Sequence, residues 1–447
     1  MTRRDLAQRS GLSIPTAASI VNELLTAGHI SESVPWSDRV APRGPRAGLL
    51  SIARHANVVL GMDLCADRIR VGLCDLSGVV SQVASIPVQR AGQPSRLLAL
   101  AIDAARPLAA SAGKRLIGIG VGVPGPVDPD GRRSLLALPL GWRDVPVAER
   151  FEEALGVPAV VEYNVRAMAL AEARYGLGLR AENLLYVHLG SSVGFAFVVD
   201  GLPFRQGAHG VSELGHHRVV ERGPRCSCGG VGCLEAVLGK RYLSQRIRTA
   251  ARQSPQLTTL LRKRLPVLEL LDVATEAGDQ AAAEILDDVI THLSTATALS
   301  IDMFSPTRVA LGGELANAPK DVLNRLHEAI HGKVSRLLQD QVRIERSEIG
   351  RYPGVLGAGT VALDRLFYRD QPPIPAPVGG NRRAALWATA ASPPGPRPVA
   401  RSAGNGGAAG SNGSVAGNGG SVAGNGSVAT IRAAARPVGR PAVTTRG

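Results

Sequence analysis

Three cysteines fall within eight residues, Cys226-Ser-Cys228-Gly-Gly-Val-Gly-Cys233, and upstream of them stands His216 in the string Glu213-Leu-Gly-His216. Thiolate and imidazole are ligands that Zn2+ selects, and three of one with one of the other complete its tetrahedral shell. Glycines at 229, 230 and 232 let the chain double back so that the sulfurs converge. With no position left open, such a zinc is structural, tying the segment that carries Glu213 to a helix beginning near Glu235. Cys65 and Cys74 lie in apolar strings and read as small buried strand residues. An odd total of five, three of them clustered, argues for metal binding and against a disulfide framework.

These ligands need a scaffold, and the apolar pattern supplies one. From Val58 apolar strands alternate with helical stretches: VVLGMDL, IRVGLCDL and VVSQVASIPV, a helix through Leu97–Ala112, then LIGIGVGVPG. That alternation predicts an α/β domain. NLLYVHLG and GFAFVVDG open a second run of the same kind near Asn183, so two similar lobes facing a cleft are expected over residues 56–368. Helices fill Leu234–Ile301, a strand RVALGG follows, and a last helix runs through GVLGAGTVALDRLFY.

Residues 1–52 have a different texture. Arg3–Ser10 predicts a short helix, Gly11-Leu12 a turn, and Ser13 a hydroxyl cap for a second helix that tolerates Pro15 in its first turn. In that helix Ala17, Val21, Leu24 and Leu25 share one face, while Thr16, Ser19 and Asn22 point elsewhere. This is the pattern of a helix-turn-helix whose second helix reads DNA. Gly28 closes it, and HISESVPWSDRVAPRGPRAGLLSI suits a β-wing with Arg43 and Arg46 at its tip. The candidate DNA contacts are therefore Pro15, Thr16, Ser19, Asn22, Arg43 and Arg46. The alternative is a small helical hairpin capping the larger domain. Winged-helix domains usually carry a further helix ahead of the one at Arg3, so the expectation is either a start upstream of Met1 or a truncated domain with impaired DNA binding.

A chain of 447 residues with 45% apolar and 20% charged side chains has the composition of a globular protein of two or three units. No apolar run reaches the roughly 18–20 residues of a membrane helix, and the N-terminus lacks the apolar stretch of a secretory signal. A cytoplasmic protein is expected, with no membrane partner. Of the formal charge of +14, eight units come from arginines beyond residue 370, where there is no lysine or acid. Residues 370–447, rich in Gly, Asn, Ser, Pro and Arg, are expected to be disordered. They are either a nonspecific linker or an arginine-bearing tail that adds salt-sensitive DNA affinity.

CSCGGVGCLE with ELGH, GVGVPGPVD at 120–128, Gly141-Trp142, LGG at 311–313 and the LGAGTVAL ending together resemble the ROK family of bacterial sugar kinases and sugar-responsive repressors, from Arg3 to about Asp364. SGLSIPTAASIVNELLTAGHI and RGPRAGLLSI look like the winged helix of its regulators. The resemblance implies two actin-like, ribonuclease-H-like lobes with a sugar in the cleft between them. It also implies that Glu213, His216 and Glu235 hydrogen-bond sugar hydroxyls, His216 through the ring nitrogen not on zinc, so that the metal orients the sugar site.

The family's kinases carry Glu-Asn-Asp-Ala-Asn, whose aspartate takes the proton from the sugar hydroxyl. Here Glu162-Tyr163-Asn164-Val165-Arg166 aligns with it, which puts Asn164 at the base position. An amide accepts no such proton, a loss of about 10²–10⁴ in rate, but it can still hydrogen-bond a sugar. Asp63-Leu-Cys65-Ala66-Asp67 replaces Asp-x-Gly-Gly-Thr, and Gly190-Ser-Ser192-Val-Gly194 replaces Gly-Thr-Gly-x-Gly. Side chains there keep phosphate from the backbone, and Asp67 repels it. Asn164 and Arg166 read otherwise as ordinary loop and helix-start residues; Arg166 could also favour an anionic ligand such as a sugar phosphate. His209 and His217 read as structural.

The resulting expectation is a dimeric or tetrameric regulator, a repressor released by a sugar or sugar phosphate, that binds double-stranded operator DNA and lacks kinase activity. The alternatives are an ATP-dependent sugar kinase and a sugar-binding interaction protein that does not bind an operator.

Overall fold

A computed structural model describes residues 1–33, 48–88, 93–205 and 213–368 of the chain. Arg43, Arg46, His209 and the expected tail, 370–447, lie outside the described residues.

Helix α1 (Arg3–Ser10) starts at a capping box in which the Thr2 hydroxyl accepts from the Asp5 amide and the Asp5 carboxylate accepts from the Thr2 amide. Gly11, with φ +70°, turns the chain into α2 (Ile14–Thr26), which is capped by Ser13. Ala7, Ala17 and Val21 are buried, so two helices with little bulk between them pack closely. Strands β1 (Ile30–Ser33) and β2 (Leu49–Ile52) follow as an antiparallel pair.

The first large sheet contains β3 (Val58–Leu64), β4 (Arg68–Asp75) and β5 (Val80–Pro87), then, after α3 (Pro94–Ala112), β6 (Leu116–Val123). A hairpin of β7 (Ser134–Ala137) and β8 (Trp142–Val145) and helix α4 (Val147–Leu155) lead to its last strand, β9 (Ala159–Tyr163). The order is β5-β4-β3-β6-β9, with β4 antiparallel to its neighbours and β3, β6 and β9 parallel. Every residue of β3 is buried, which is why VVLGMDL is apolar without alternation.

Helix α5 (Asn164–Tyr175) leads into the second sheet, β10 (Asn183–Leu189), β11 (Val193–Val199) and β12 (Leu202–Pro203). Five helices follow: α6 (Leu234–Leu238), α7 (Lys240–Ala250), α8 (Pro255–Arg262), α9 (Val267–Glu276) and α10 (Gln280–Phe304). The sheet is completed by β13 (Arg308–Gly313) and, after α11 (Lys320–His331), β14 (Arg343–Arg346). Its order, β12-β11-β10-β13-β14, repeats that of the first.

Helix α12 (Pro353–Ala362) packs against both α5 and the first sheet, and both helices are buried along almost their whole length. The expected single helix to Tyr368 ends at Ala362; Leu363–Tyr368 widens into a π-helical turn that sets Phe367 edge-on to His29, ring centroids 5.9 Å apart. Among the described residues no helix is long and apolar enough to cross a membrane.

A Cβ on Gly120 would stand 1.8 Å from the Ala358 carbonyl oxygen, so helix and sheet touch backbone to backbone. Gly120→Ala is therefore expected to destabilise the chain by about 1–3 kcal/mol through forced separation, read as a lower urea midpoint. An unchanged midpoint would mean that the contact has slack.

Candidate functional site

The 3-10 turn Leu214–His216 and the start of α6 bracket the cysteine loop. The Leu234 amide donates to the His217 carbonyl at 2.9 Å, which joins the two segments. Gly232 has φ +68°, and a Cβ there would lie 1.6 Å from the Val220 carbonyl oxygen; only glycine lets its own carbonyl accept from both Val219 and Val220.

The donor atoms of His216, Cys226, Cys228 and Cys233 all lie within 4.8 Å of one another. Cys226 Sγ is 3.4 Å from His216 Nδ1, and Cys228 Sγ is 3.7 Å from Cys233 Sγ. A tetrahedral site with arms of about 2.3 Å to sulfur and about 2.0 Å to nitrogen has S···S edges of roughly 3.8 Å and S···N edges of roughly 3.5 Å. The four residues thus fit a metal. Burial and the neighbouring sulfurs push the Cys233 thiol up to about 12, so a cation is what makes adjacent thiolates compatible.

With Nδ1 toward the sulfurs, His216 turns Nε2 to Glu213, whose Oε2 is 3.7 Å away. Glu235, on the first turn of α6, is buried and accepts from the Ser227 hydroxyl at 3.3 Å; burial raises its carboxyl above the usual range. Tyr163 lies close enough to Glu213 and Glu235 that their charges add to burial in raising its phenol, and Gly194 leaves room for its hydroxyl.

Asn164 faces a neighbouring cleft of about 230 Å³, lined also by Asp63, Cys65, Arg70, His188 and Lys240. Asn164 is 5% exposed, and its Oδ1 has no partner among the described residues. His188 Nδ1 is likewise buried without one, and burial together with Arg70 lowers this imidazole to about 4, leaving it neutral at pH 7. Asp63 accepts from the Cys65 thiol and lies 3.4 Å from Arg70 Nη1, at the start of α12. The β10–β11 turn closes on itself, Gly190 N–H to the Ser192 carbonyl at 2.9 Å.

A family model described as "ROK family" matches residues 59–365. The chain belongs to the ROK family. It is 26% identical over 356 residues to the DNA-binding transcriptional dual regulator NagC of Escherichia coli K12, covering 78% of this chain and 85% of that one. It is 31% identical over 251 residues to a glucokinase of Halalkalibacterium halodurans, covering 55% and 75%. The crystal structure of a ROK family transcriptional regulator, a homolog of the E. coli MLC protein, shares its fold with a TM-score of 0.66 at 24% identity, over 82% of this chain and 92% of that one. ROK kinases and ROK repressors are thus both relatives, and the two lobes have the actin-like sugar-kinase fold.

Within this ROK chain, Glu213, His216, Glu235 and the three cysteines come together, while Asn164 lies in the adjoining cleft, reached through Tyr163. Pro15, Thr16, Ser19 and Asn22 are exposed on α2, and Asn22 Oδ1 accepts from Arg3 Nη1 at 2.9 Å. Arg166 is buried against Glu162. Sequence reasoning misses Tyr163, His188 and Lys240; only Tyr163 carries a signal, its adjacency to Asn164.

Metal analysis under reducing conditions is expected to find about one divalent ion per chain, and Cys233→Ser is expected to lose it along with several degrees of melting temperature. A metal-free wild-type protein of unchanged stability would reject the site.

Proposed function

We propose that the chain is a sugar-responsive transcriptional regulator, a repressor released by its effector, without kinase activity. The observation that carries this reading is an exposed polar face on α2 in a helix-turn-helix attached to a ROK body, supported by similarity to NagC. Residues 1–52 would be the winged-helix unit that binds double-stranded operator DNA through Pro15, Thr16, Ser19 and Asn22, with Arg43 and Arg46. Residues 56–368 would be the effector-binding body, 370–447 a disordered tail, and the working form a cytoplasmic homodimer or homotetramer.

In this reading Glu213, His216 and Glu235 hold the hydroxyls of a sugar or sugar phosphate. Asn164 adds a hydrogen bond that uses its unpartnered oxygen. Zn2+ on His216, Cys226, Cys228 and Cys233 is structural and fixes the imidazole whose other nitrogen faces the ligand. Phosphoryl transfer fails for want of a base, because an amide stands at Asn164 and the Cys65–Asp67 turn presents side chains where phosphate needs bare backbone. The second reading, an ATP-dependent sugar kinase, is favoured by the similarity to a glucokinase.

Two assays separate the readings. Duplex DNA from the region upstream of its own gene is expected to bind the protein with a Kd of about 10⁻⁸ M or tighter and to be released by one of glucose, xylose or N-acetylglucosamine. Ser19→Ala is expected to weaken binding by about 1–3 kcal/mol. With the same sugars and ATP, ADP release is expected to stay at the no-sugar background; sustained turnover above it would establish the kinase. Asn164→Ala is expected to weaken sugar binding about tenfold, the loss of one hydrogen bond.

A further inference from the structure

We propose that Glu162 is a positioning residue through which the sugar-binding lobes set the posture of the DNA-binding helices; this rests on the regulator reading above. Its carboxylate is almost fully buried, and its two oxygens are committed to different parts of the molecule. Oε1 accepts from the Tyr163 amide at 2.7 Å and from Arg166 Nε at 2.8 Å, both at the junction of β9 and α5. Oε2 accepts from Arg205, which follows β12 in the second sheet, and lies 3.7 Å from Arg365 Nη2 in the π-helical turn.

Two guanidiniums from separate elements thus share one oxygen. Arg205 holds it, and Arg365 stands about 1 Å beyond the 2.7–2.9 Å of a charge-assisted hydrogen bond, its Nη1 anchored to the Asp130 carbonyl at 3.0 Å. In this proposal the carboxylate exchanges between the two guanidiniums. When the second lobe carries Arg205 away, Oε2 falls to Arg365 and draws the Leu363–Tyr368 turn toward Glu162; when Arg205 returns, like charge pushes Arg365 back.

The turn touches the unit proposed to bind DNA. Phe367 packs edge-on to His29, whose amide donates to the Leu24 carbonyl in α2 and whose carbonyl accepts from Ala53 beyond β2, both at 2.9 Å. Asn57 Nδ2 lies 3.2 Å from His29 Nδ1 and holds the ring against the body. A shift of Phe367 therefore reaches the end of α2 through one ring and one backbone hydrogen bond. Tyr163 and Asn164, the next two residues after Glu162, line the ligand side, so a bound sugar and the DNA-binding helices bias the same carboxylate. A ligand with different affinity for the two forms then changes operator affinity, and operator changes ligand affinity by the same factor.

The test uses the full chain with three variants, Arg365→Gln, Arg365→Lys and Phe367→Leu, the last a mild change that keeps apolar bulk. Each is titrated with xylose, glucose and N-acetylglucosamine alone, with duplex DNA from the upstream region alone, and with both together. In Arg365→Gln and Phe367→Leu the sugar-induced change in DNA affinity is expected to fall to within twofold of none, while each separate affinity stays within about threefold of wild type. Arg365→Lys, which keeps a cation, is expected to retain most of the change. A purely structural role would lower both affinities together and leave their ratio intact, and that outcome overturns the proposal. Hydrogen exchange without DNA gives a second readout: sugar is expected to change protection of residues 363–368 and of the end of α2 in the wild type, and to lose the α2 effect in Phe367→Leu. An unaltered α2 effect in that variant rejects the proposal even if the operator assay succeeds. Absence of DNA binding by the wild type, with the exchange effect present, overturns the regulator reading instead.

Discussion

A Cβ on Gly120 would stand 1.8 Å from the Ala358 carbonyl oxygen, and one on Gly61 2.0 Å from that of Val355, so α12 lies on the first sheet with backbone against backbone. On its other side Gly357 leaves the same kind of gap for Ala167 and Met168 of α5. The two helices that join the lobes can approach this closely only because side chains are absent at the crossings. The placement of both functional regions depends on that closeness. It buries the start of α12 against Asp63 in the cleft, and it brings the other end, through the π-helical turn, to His29 beside α2. One short helix thus runs from the cleft at Asp63 to the contact with His29 beside α2, and because its sides are locked to the first sheet and to α5, relative motion of the lobes has few places to be absorbed except at its ends.

The cluster of His216, Cys226, Cys228 and Cys233, which could hold a metal, bears on a different problem. The segment 213–235 is polar and glycine-rich, and its described part contains only a 3-10 turn, two isolated bridges and the start of α6, too little regular structure to hold a carboxylate in place. Four convergent side chains, joined through a metal, would supply what secondary structure does not. His216 makes the arrangement more than a clamp, since the same ring that faces the sulfurs also faces Glu213, and Cys233 caps the helix that carries Glu235. Position of the candidate ligand-binding carboxylates is thereby referred to one point.

The parts of this molecule that are legible directly in the sequence are those whose physics is local. The hydroxyl cap at Ser13, the turn at Gly11 and the apolar stripe through Ala17 and Val21 act within a few residues, and the structure places them as expected. The cysteine loop is equally compact. Strands β7, β8, β9 and β14, of four or five residues each, do not stand out in the sequence, because RIER and WRDV are polar at edges and AVVEY is too short for its period to show. The Glu162 cluster is hidden for a different reason: Arg166 is one helical turn away, but Arg205 and Arg365 reach it only through the topology of two lobes. No spacing rule anticipates that, although Arg166 itself pairs locally, with a carboxylate on the strand just before its helix.

Charge shows the same distinction between count and placement. With eight units of the formal +14 beyond residue 370, the body is only mildly basic, and several of its arginines are paired: Arg3 with Glu32, Arg132 with Glu152, Arg308 with Glu345, and Arg166 and Arg205 with Glu162. A guanidinium committed to a carboxylate releases no counterion on meeting phosphate, so these contribute little to nonspecific DNA affinity. On α1, Arg4 and Arg9 remain exposed, and α2 has no basic residue at all. In a helix-turn-helix the first helix crosses the phosphate backbone while the second enters the groove. In the proposed regulator, basic α1 would lie against the phosphates while polar α2, whose one charged side chain is Glu23, would read the groove, so that a small change in helix posture would change affinity.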